Sequence, residues 1–355
     1  MQDLDLSTLP GLRVWNDVDA KKFRDEIMPL GEPAVLKGLV SDWPIVAKGM
    51  ESPESLGGYI RQMGPDERVL SFYADEHIKG RYFYSDDLKG FNFDRREVGL
   101  GELIDKLMSD MNNERAPCIH AGGIALNGRL SKLIDENPNP LIDDSKKQLP
   151  AMWIGNRGRT AAHWDIAQNI ACVVGGRRQF TLVPPDQTAN LYVGPLDFTI
   201  AGQPLSLVDF HKPDYDRFPR FKEALATARS ATLGPGDAIY IPSMWYHHVE
   251  SLDRFGVLVN FWWREAQPYM VTPFLTMFHA ILSIRDLPKS EKEAWRNMFD
   301  HYIFQLDGDP AEHMPEDARG FLGELTPERV SGLKNYLIKM LGGTPPSDNS
   351  TSRPE

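Results

Sequence analysis

Apolar residues at Val18, Phe23, Ile27 and Leu30 recur between charged neighbours at helical spacing and predict a helix over 17–30. The run Pro33-Ala34-Val35-Leu36 reads as a strand within 32–40. Leu56, Tyr59, Ile60 and Met63 share one face of a second helix over 53–63. From about 68 to 265 the pattern changes to short apolar or alternating runs separated by Gly, Pro, Asn and Asp, as in a β-sandwich or barrel. Strands are expected at 68–73, 152–154, 169–174, 179–183, 238–241 and 256–262, with helical insertions at 101–110 and 219–229. Gly175-Gly176, Pro184-Pro185 and Gly234-Pro235-Gly236-Asp237 are the turns between them.

Helical spacing returns after Pro268, with Val271, Phe274, Leu275, Phe278, Ile281 and Leu282 on one face. Ser290 and Glu293 have the form of a capping box ahead of Trp295, Met298, Phe299 and Tyr302. Thr326-Pro327 opens a third helix, and Gly342-Gly343 closes it. The Pro- and Ser-rich stretch 344–355 is expected to be disordered. The expected organisation is a mainly β domain with N-terminal α/β elements over 1–268, a helical region over 269–343, and the tail. Those helices either pack on the β domain or meet a second copy. The aromatic and Met residues of 269–278 weigh toward an interface.

Of 355 residues, 41% are hydrophobic and 25% charged, enough to bury a core without staples. A net charge of -11 argues against a nucleic-acid partner, which needs clustered Lys and Arg. Cys118 and Cys172, the two cysteines, each sit in an apolar stretch and read as buried free thiols. No run approaches the ~20 apolar residues of a membrane span, and the N-terminus lacks the basic start and apolar run of a secretory signal. A cytoplasmic location, away from membranes, is expected.

The chemistry is carried by His163-Trp164-Asp165 and by His247 in Trp245-Tyr246-His247-His248-Val249. Two His and one carboxylate form a facial triad that leaves positions open on an iron(II) ion. At an extended strand end, residues i and i+2 point to the same side, so His163 and Asp165 can reach one ion. A lone H-x-D is weak, since a strand His is more often a packed residue than a ligand. Gly234-Pro235-Gly236-Asp237 followed by the run to Pro242 strengthens it, because that turn and strand aim His247 back into a barrel.

Thr160-Ala161-Ala162-His163-Trp164-Asp165, Gln168-Asn169, Val183-Pro184-Pro185-Asp186-Gln187, Lys212-Pro213-Asp214-Tyr215-Asp216-Arg217-Phe218-Pro219, the run from Gly234 to Glu250, and Val259-Asn260-Phe261-Trp262 together resemble the JmjC/cupin-like 2-oxoglutarate oxygenases. Within that family the resemblance is greatest to the asparaginyl hydroxylases of hypoxia-inducible factor. It is strong over about 150–265 and looser before. It implies a double-stranded β-helix (jelly roll, or cupin) with flanking helices and a C-terminal helical region that pairs two copies.

The resemblance also implies roles. His163, Asp165 and His247 would bind Fe(II), with His248, of opposite strand parity, structural. Thr160 would hydrogen-bond the distal carboxylate of the co-substrate 2-oxoglutarate. Arg178 would hold that carboxylate where the family usually has Lys, and Arg177 would be solvated. Asn169, Asn260 and Trp262 would line the co-substrate site. For each asparagine the competing reading is an in-strand amide bonded to its neighbours. A co-substrate Tyr expected on an earlier strand is missing, and His120 is the candidate replacement. The family's polar pair for the target amide has Gln203 as its one candidate here.

The expected activity is hydroxylation of a C–H bond, with O2 as the second co-substrate, on a protein or peptide side chain. A small-molecule hydroxylase is the alternative within the mechanism, and removal of an N-methyl group through hydroxylation uses the same site. From other classes, a cupin-type isomerase would not need the co-substrate residues, and a non-catalytic binding module would not need the whole set.

Overall fold

The computed structural model describes residues 3–64, 67–143 and 146–342; the tail expected to be disordered and Gly343 lie outside them. The chain divides into two compact units, residues 1–265 and 266–355.

Within the first unit, fourteen strands among the described residues form two sheets. They are β1 (Arg13–Trp15), β2 (Ala34–Leu36), β3 (Arg68–Ala74), β4 (Arg81–Tyr82), β5 (Asp94–Gly99), β6 (Cys118–Ala125), β7 (Leu149–Gly155), β8 (Arg159–His163), β9 (Gln168–Gly175), β10 (Arg178–Val183), β11 (Arg229–Leu233), β12 (Ala238–Ile241), β13 (Tyr246–Ser251) and β14 (Gly256–Trp263). The larger sheet runs β1-β2-β12-β9-β14-β7-β6-β3-β5, the smaller β11-β10-β13-β8-β4. From β7 to β14 the chain steps repeatedly between the sheets, leaving β7, β9, β12 and β14 in one and β8, β10, β11 and β13 in the other. This is the expected jelly roll, mainly β with flanking helices.

Strand parity sorts the side chains. On β9, Ile170, Cys172 and Val174 face the outer layer, where they join Ile45, Leu56, Ile60 and Leu103 of the helices Pro44–Glu51, Pro53–Met63 and Leu100–Ser109. Ala171 and Val173 face the other way and pack with Phe180, Leu182, Ile239, Ile241 and Leu258 between the sheets. Each buried side chain of this size contributes ~1.5–3 kcal/mol, so both faces of β9 are tied down. The helix Pro44–Glu51 lies so close to β9 that a Cβ on Gly49 would come within 1.8 Å of the Val174 carbonyl oxygen. Its first turn is capped from a distance: Ile45 N–H donates to Asn137 Oδ1 at 3.1 Å.

The helix expected over 17–30 winds as α at Ala20–Lys22, π at Phe23–Ile27 and 3-10 at Met28–Leu30, with Asp19 accepting from Lys22 N–H as N-cap. The strand expected over 32–40 shortens to β2, because Gly38 turns the chain at φ +67°. Both cysteines are buried free thiols. In the second unit the helices are Pro273–Ser283, Lys289–Tyr302 and Pro327–Met340. The capping box at Ser290 is not formed: the second of these helices begins at Lys289, and Pro288, its N-cap, offers no side-chain bond. Thr326 caps the third as expected. No helix of the described residues is long and apolar enough to cross a membrane.

Candidate functional site

His163 ends β8, Asp165 follows two residues later, and His247 on β13 stands opposite His163 in the β8–β13 ladder. Their candidate ligand atoms all lie within 4.8 Å of one another. The two imidazole centroids are 4.2 Å apart, and His247 Nε2 is 3.7 Å from Asp165 Oδ2. Both rings are anchored alike. His163 Nδ1 lies 3.0 Å from the Ala161 carbonyl oxygen, and His247 Nδ1 lies 3.0 Å from that of Trp245. A carbonyl only accepts, so each Nδ1 carries a proton, and Nε2 is the atom each ring turns toward the site. Burial, reinforced by His163 and opposed by Asp165, pushes the His247 pKa down to about 4, so the ring is neutral at neutral pH. Asp165 is oriented in turn by Trp262, whose Nε1–H donates to Oδ2 at 2.9 Å.

The same three side chains line a cavity with Thr160, Asn169, Arg178, Asn260 and Trp262. These eight residues, singled out in the sequence, therefore meet in one place. Thr160 and His163 have opposite strand parity, yet both face inward. The ladder explains it: His247 pairs with His163 but Val249 pairs with Thr160, so β8 carries an extra residue, a bulge.

Arg178 is 5% exposed. Its Nη2 reaches the Trp153 carbonyl oxygen at 3.4 Å, its Nε has no hydrogen-bond partner, and no carboxylate pairs with it among the described residues. Burial pushes its pKa down to about 10, which still leaves it charged at neutral pH. A buried cation without a counter-charge is strongly unfavourable, and an anionic ligand in this cavity would supply what is missing. The amides are fixed as a chain: Trp153 Nε1–H donates to Asn260 Oδ1 at 2.8 Å, and Asn260 Nδ2–H donates to Asn169 Oδ1 at 3.1 Å. Trp153 was missed in the sequence, although the parity of the strand expected at 152–154 would have put it on the inner face.

Other expectations sort plainly. Arg177 points outward and pairs with Asp253 at 2.9 Å. His120 does not line the cavity with Arg178. It stacks on the far side of Trp153, ring centroids 5.9 Å apart, against a neighbouring cavity that Gln203 also lines. His248 faces the outside of the smaller sheet, where it and His211 both bond Glu250 Oε1, His248 at 3.0 Å. Burial works against the Glu250 carboxylate, yet those two bonds hold its pKa down to about 2. This second His-His-Glu group lacks the anchoring seen at His163 and His247, since His248 Nδ1 is buried without a partner. It is a hydrogen-bonded clamp on the segment around His211. Nothing in the sequence marks His211 for that role.

The sequence profile of the cupin-like domain matches residues 20–268. Lysine-specific demethylase JMJ31 of Arabidopsis thaliana is 27% identical over 272 residues, 70% of this chain and 49% of the relative. Lysine-specific demethylase 8 of Xenopus tropicalis is 26% identical over 250 residues, 68% of this chain and 50% of the relative. HSPB1-associated protein 1 of Homo sapiens is 35% identical over 117 residues, 32% of this chain and 23% of the relative. The chain thus spans about half the length of the first two. These relatives do not support the narrower likeness to asparaginyl hydroxylases. With the profile covering most of the chain and the strands folded as a jelly roll, the protein belongs to the cupin-like domain family.

Proposed function

We propose that this protein is an iron(II)- and 2-oxoglutarate-dependent oxygenase that hydroxylates a C–H bond on a protein side chain. The observation that carries the reading is Arg178, a buried guanidinium with no counter-charge among the described residues, in the same cavity as His163, Asp165 and His247. A metal alone would not need it; a dicarboxylate does. His163, Asp165 and His247 would hold the metal, two neutral imidazoles and a carboxylate being the donor set iron(II) takes in such enzymes. Iron(II) held there would supply the redox chemistry of dioxygen reduction, with one oxygen atom going to succinate as carbon dioxide leaves and the other to the substrate C–H bond.

The chain's own residues do the positioning. Arg178 offers charge-assisted bonds to the distal carboxylate, and Thr160 adds a hydroxyl. The linked amides of Asn169 and Asn260 give the wall a fixed hydrogen-bonding pattern. Trp262 keeps Asp165 from rotating. The apolar lining, including Phe180, Ile241 and Leu258, keeps bulk water away from the reacting end. Two relatives are named for acting on lysine, which favours a polypeptide substrate.

Pairing through the second unit belongs to the same reading. Its three helices bury none of their residues, and Leu275, Leu282 and Met340 on them are more than half exposed. A helix with an uncovered apolar face calls for a partner surface, and a second copy supplies one. The direct test of the oxygenase reading is succinate formation from 2-oxoglutarate in the presence of iron(II). It is expected in the native protein and absent in Asp165→Ala; undiminished turnover in that variant would rule the reading out.

A further inference from the structure

A second cavity, of about 400 Å³, lies beside the first and shares Trp153, Thr160, His163, Asp165 and Trp262 with it. Arg178 does not line it. Phe72, Tyr82, Ile200 and Leu205 add apolar wall, and His120 and Gln203 add polar groups. Among its described lining residues there is no Lys or Arg, and Asp165 is the one carboxylate.

We infer, resting on the oxygenase reading, that this cavity seats an uncharged side chain of the polypeptide substrate, so that the product is a hydroxylated residue and not a demethylated lysine. An ammonium group, methylated or not, loses its hydration on entering and needs either a carboxylate or open aromatic faces in return. Asp165 is committed to the metal-ligand set, and its Oδ2 already accepts from Trp262. The aromatic rings of the wall pack against one another rather than forming an open cage. His120 stacks on Trp153 at 5.9 Å, and Phe72 lies 4.4 Å from Phe93. Tyr82 meets Phe93 at 5.6 Å and His120 at 5.7 Å. An anionic side chain fares no better, since the lining offers no cation.

A neutral side chain meets none of these costs, and the uncommitted polar groups suit it. The Tyr82 hydroxyl is buried with no hydrogen-bond partner among the described residues. Burial raises its pKa well above the usual range and pushes that of His120 down to about 3, so both remain neutral. The reaction balances on the co-substrates already named. Dioxygen takes four electrons, two from the oxidative decarboxylation of 2-oxoglutarate and two from the C–H bond. The products are succinate, carbon dioxide and the hydroxylated carbon.

The test gives the full-length, iron-loaded protein 2-oxoglutarate and peptide libraries with random flanks and one fixed central residue: Asn, Gln, Leu, Lys or Nε-trimethyl-lysine. The visible charge-transfer band of iron(II) with 2-oxoglutarate is measured first, without peptide and anaerobically; if none forms, the oxygenase reading fails and this inference falls with it. Given the band, mass spectrometry after admitting air should find oxygen added at the central residue about tenfold more in at least one neutral library than in either lysine library. Trimethyl-lysine turned over equally well with formaldehyde release, or no neutral library hydroxylated, would overturn the inference. Gln203→Glu adds a carboxylate to the lining and should narrow the neutral-to-lysine ratio about tenfold. An unchanged ratio would mean that the substrate side chain sits elsewhere, which also overturns it.

Discussion

The indole N–H of Trp262 donates to Oδ2 of Asp165 at 2.9 Å, and that same oxygen lies 3.7 Å from His247 Nε2. Trp262 stands near the end of β14 and Asp165 just beyond β8, so one hydrogen bond links the larger sheet to the metal-ligand set carried by the smaller. The carboxylate is held in its rotamer before any metal arrives.

Trp262→Phe keeps an aromatic ring and removes that bond. Anaerobic calorimetric titration with iron(II) is expected to give an affinity about 10- to 100-fold weaker, while the far-UV circular dichroism stays native. An unchanged affinity would make Trp262 a packing residue only.

Arg178→Met should separate stability from ligand binding. It removes a buried charge that has no counter-charge among the described residues, so the apo-protein should melt at the same temperature or higher. Charge-assisted bonds to the distal carboxylate are worth about 1.5–3 kcal/mol each, so loss of two predicts 2-oxoglutarate affinity down by roughly 100-fold or more. A destabilised variant with full affinity would contradict both halves.

His120 gives a pH dependence of definite sign. Its folded-state pKa is pushed down to about 3 by burial, with Arg178 adding to the effect, against an unfolded value of about 6.5. Its contribution to stability is complete above the unfolded pKa and is lost as pH falls toward the folded one. In that window the unfolded chain binds one more proton, and each pH unit costs about 1.4 kcal/mol. Urea midpoints of the apo-protein at pH 6.5 and pH 5 should therefore converge in His120→Gln by an amount equivalent to about 2 kcal/mol. An identical pH slope in the variant would show that His120 is solvated.

A chain ending at Glu265 tests the pairing of two copies. Light scattering on a sizing column should find a dimer for the full chain and a monomer for the shortened one. A dimer in both would move the interface to the first unit.

The strands that carry the site were legible because both their faces are buried, so 170–174 and 257–259 read as continuous apolar runs within them. The H-x-D spacing suggested His163 and Asp165, but the choice of His247 and the role of Arg178 came from the family resemblance, strand parity only setting His248 and Arg177 apart from them. Other features had no local signature. Strand β5, Asp-Arg-Arg-Glu-Val-Gly, is polar and largely exposed and is held by its ladder to β3. The bulge in β8 that turns Thr160 inward is set by the pairing with β13, a contact between residues some 80 positions apart. The helix Pro44–Glu51 lacks a side-chain cap of its own and borrows Asn137, from about 90 residues away. Tertiary pairing decided each of these.

The most direct single measurement is anaerobic titration of the apo-protein with iron(II) and then 2-oxoglutarate, followed in the visible region for the charge-transfer band of the chelate. The band should appear only when both are present, be absent in His163→Ala, and require far more 2-oxoglutarate in Arg178→Met. No band in fully reduced native protein, or a band that survives in His163→Ala, would contradict a metal and co-substrate site built from His163, Asp165, His247 and Arg178.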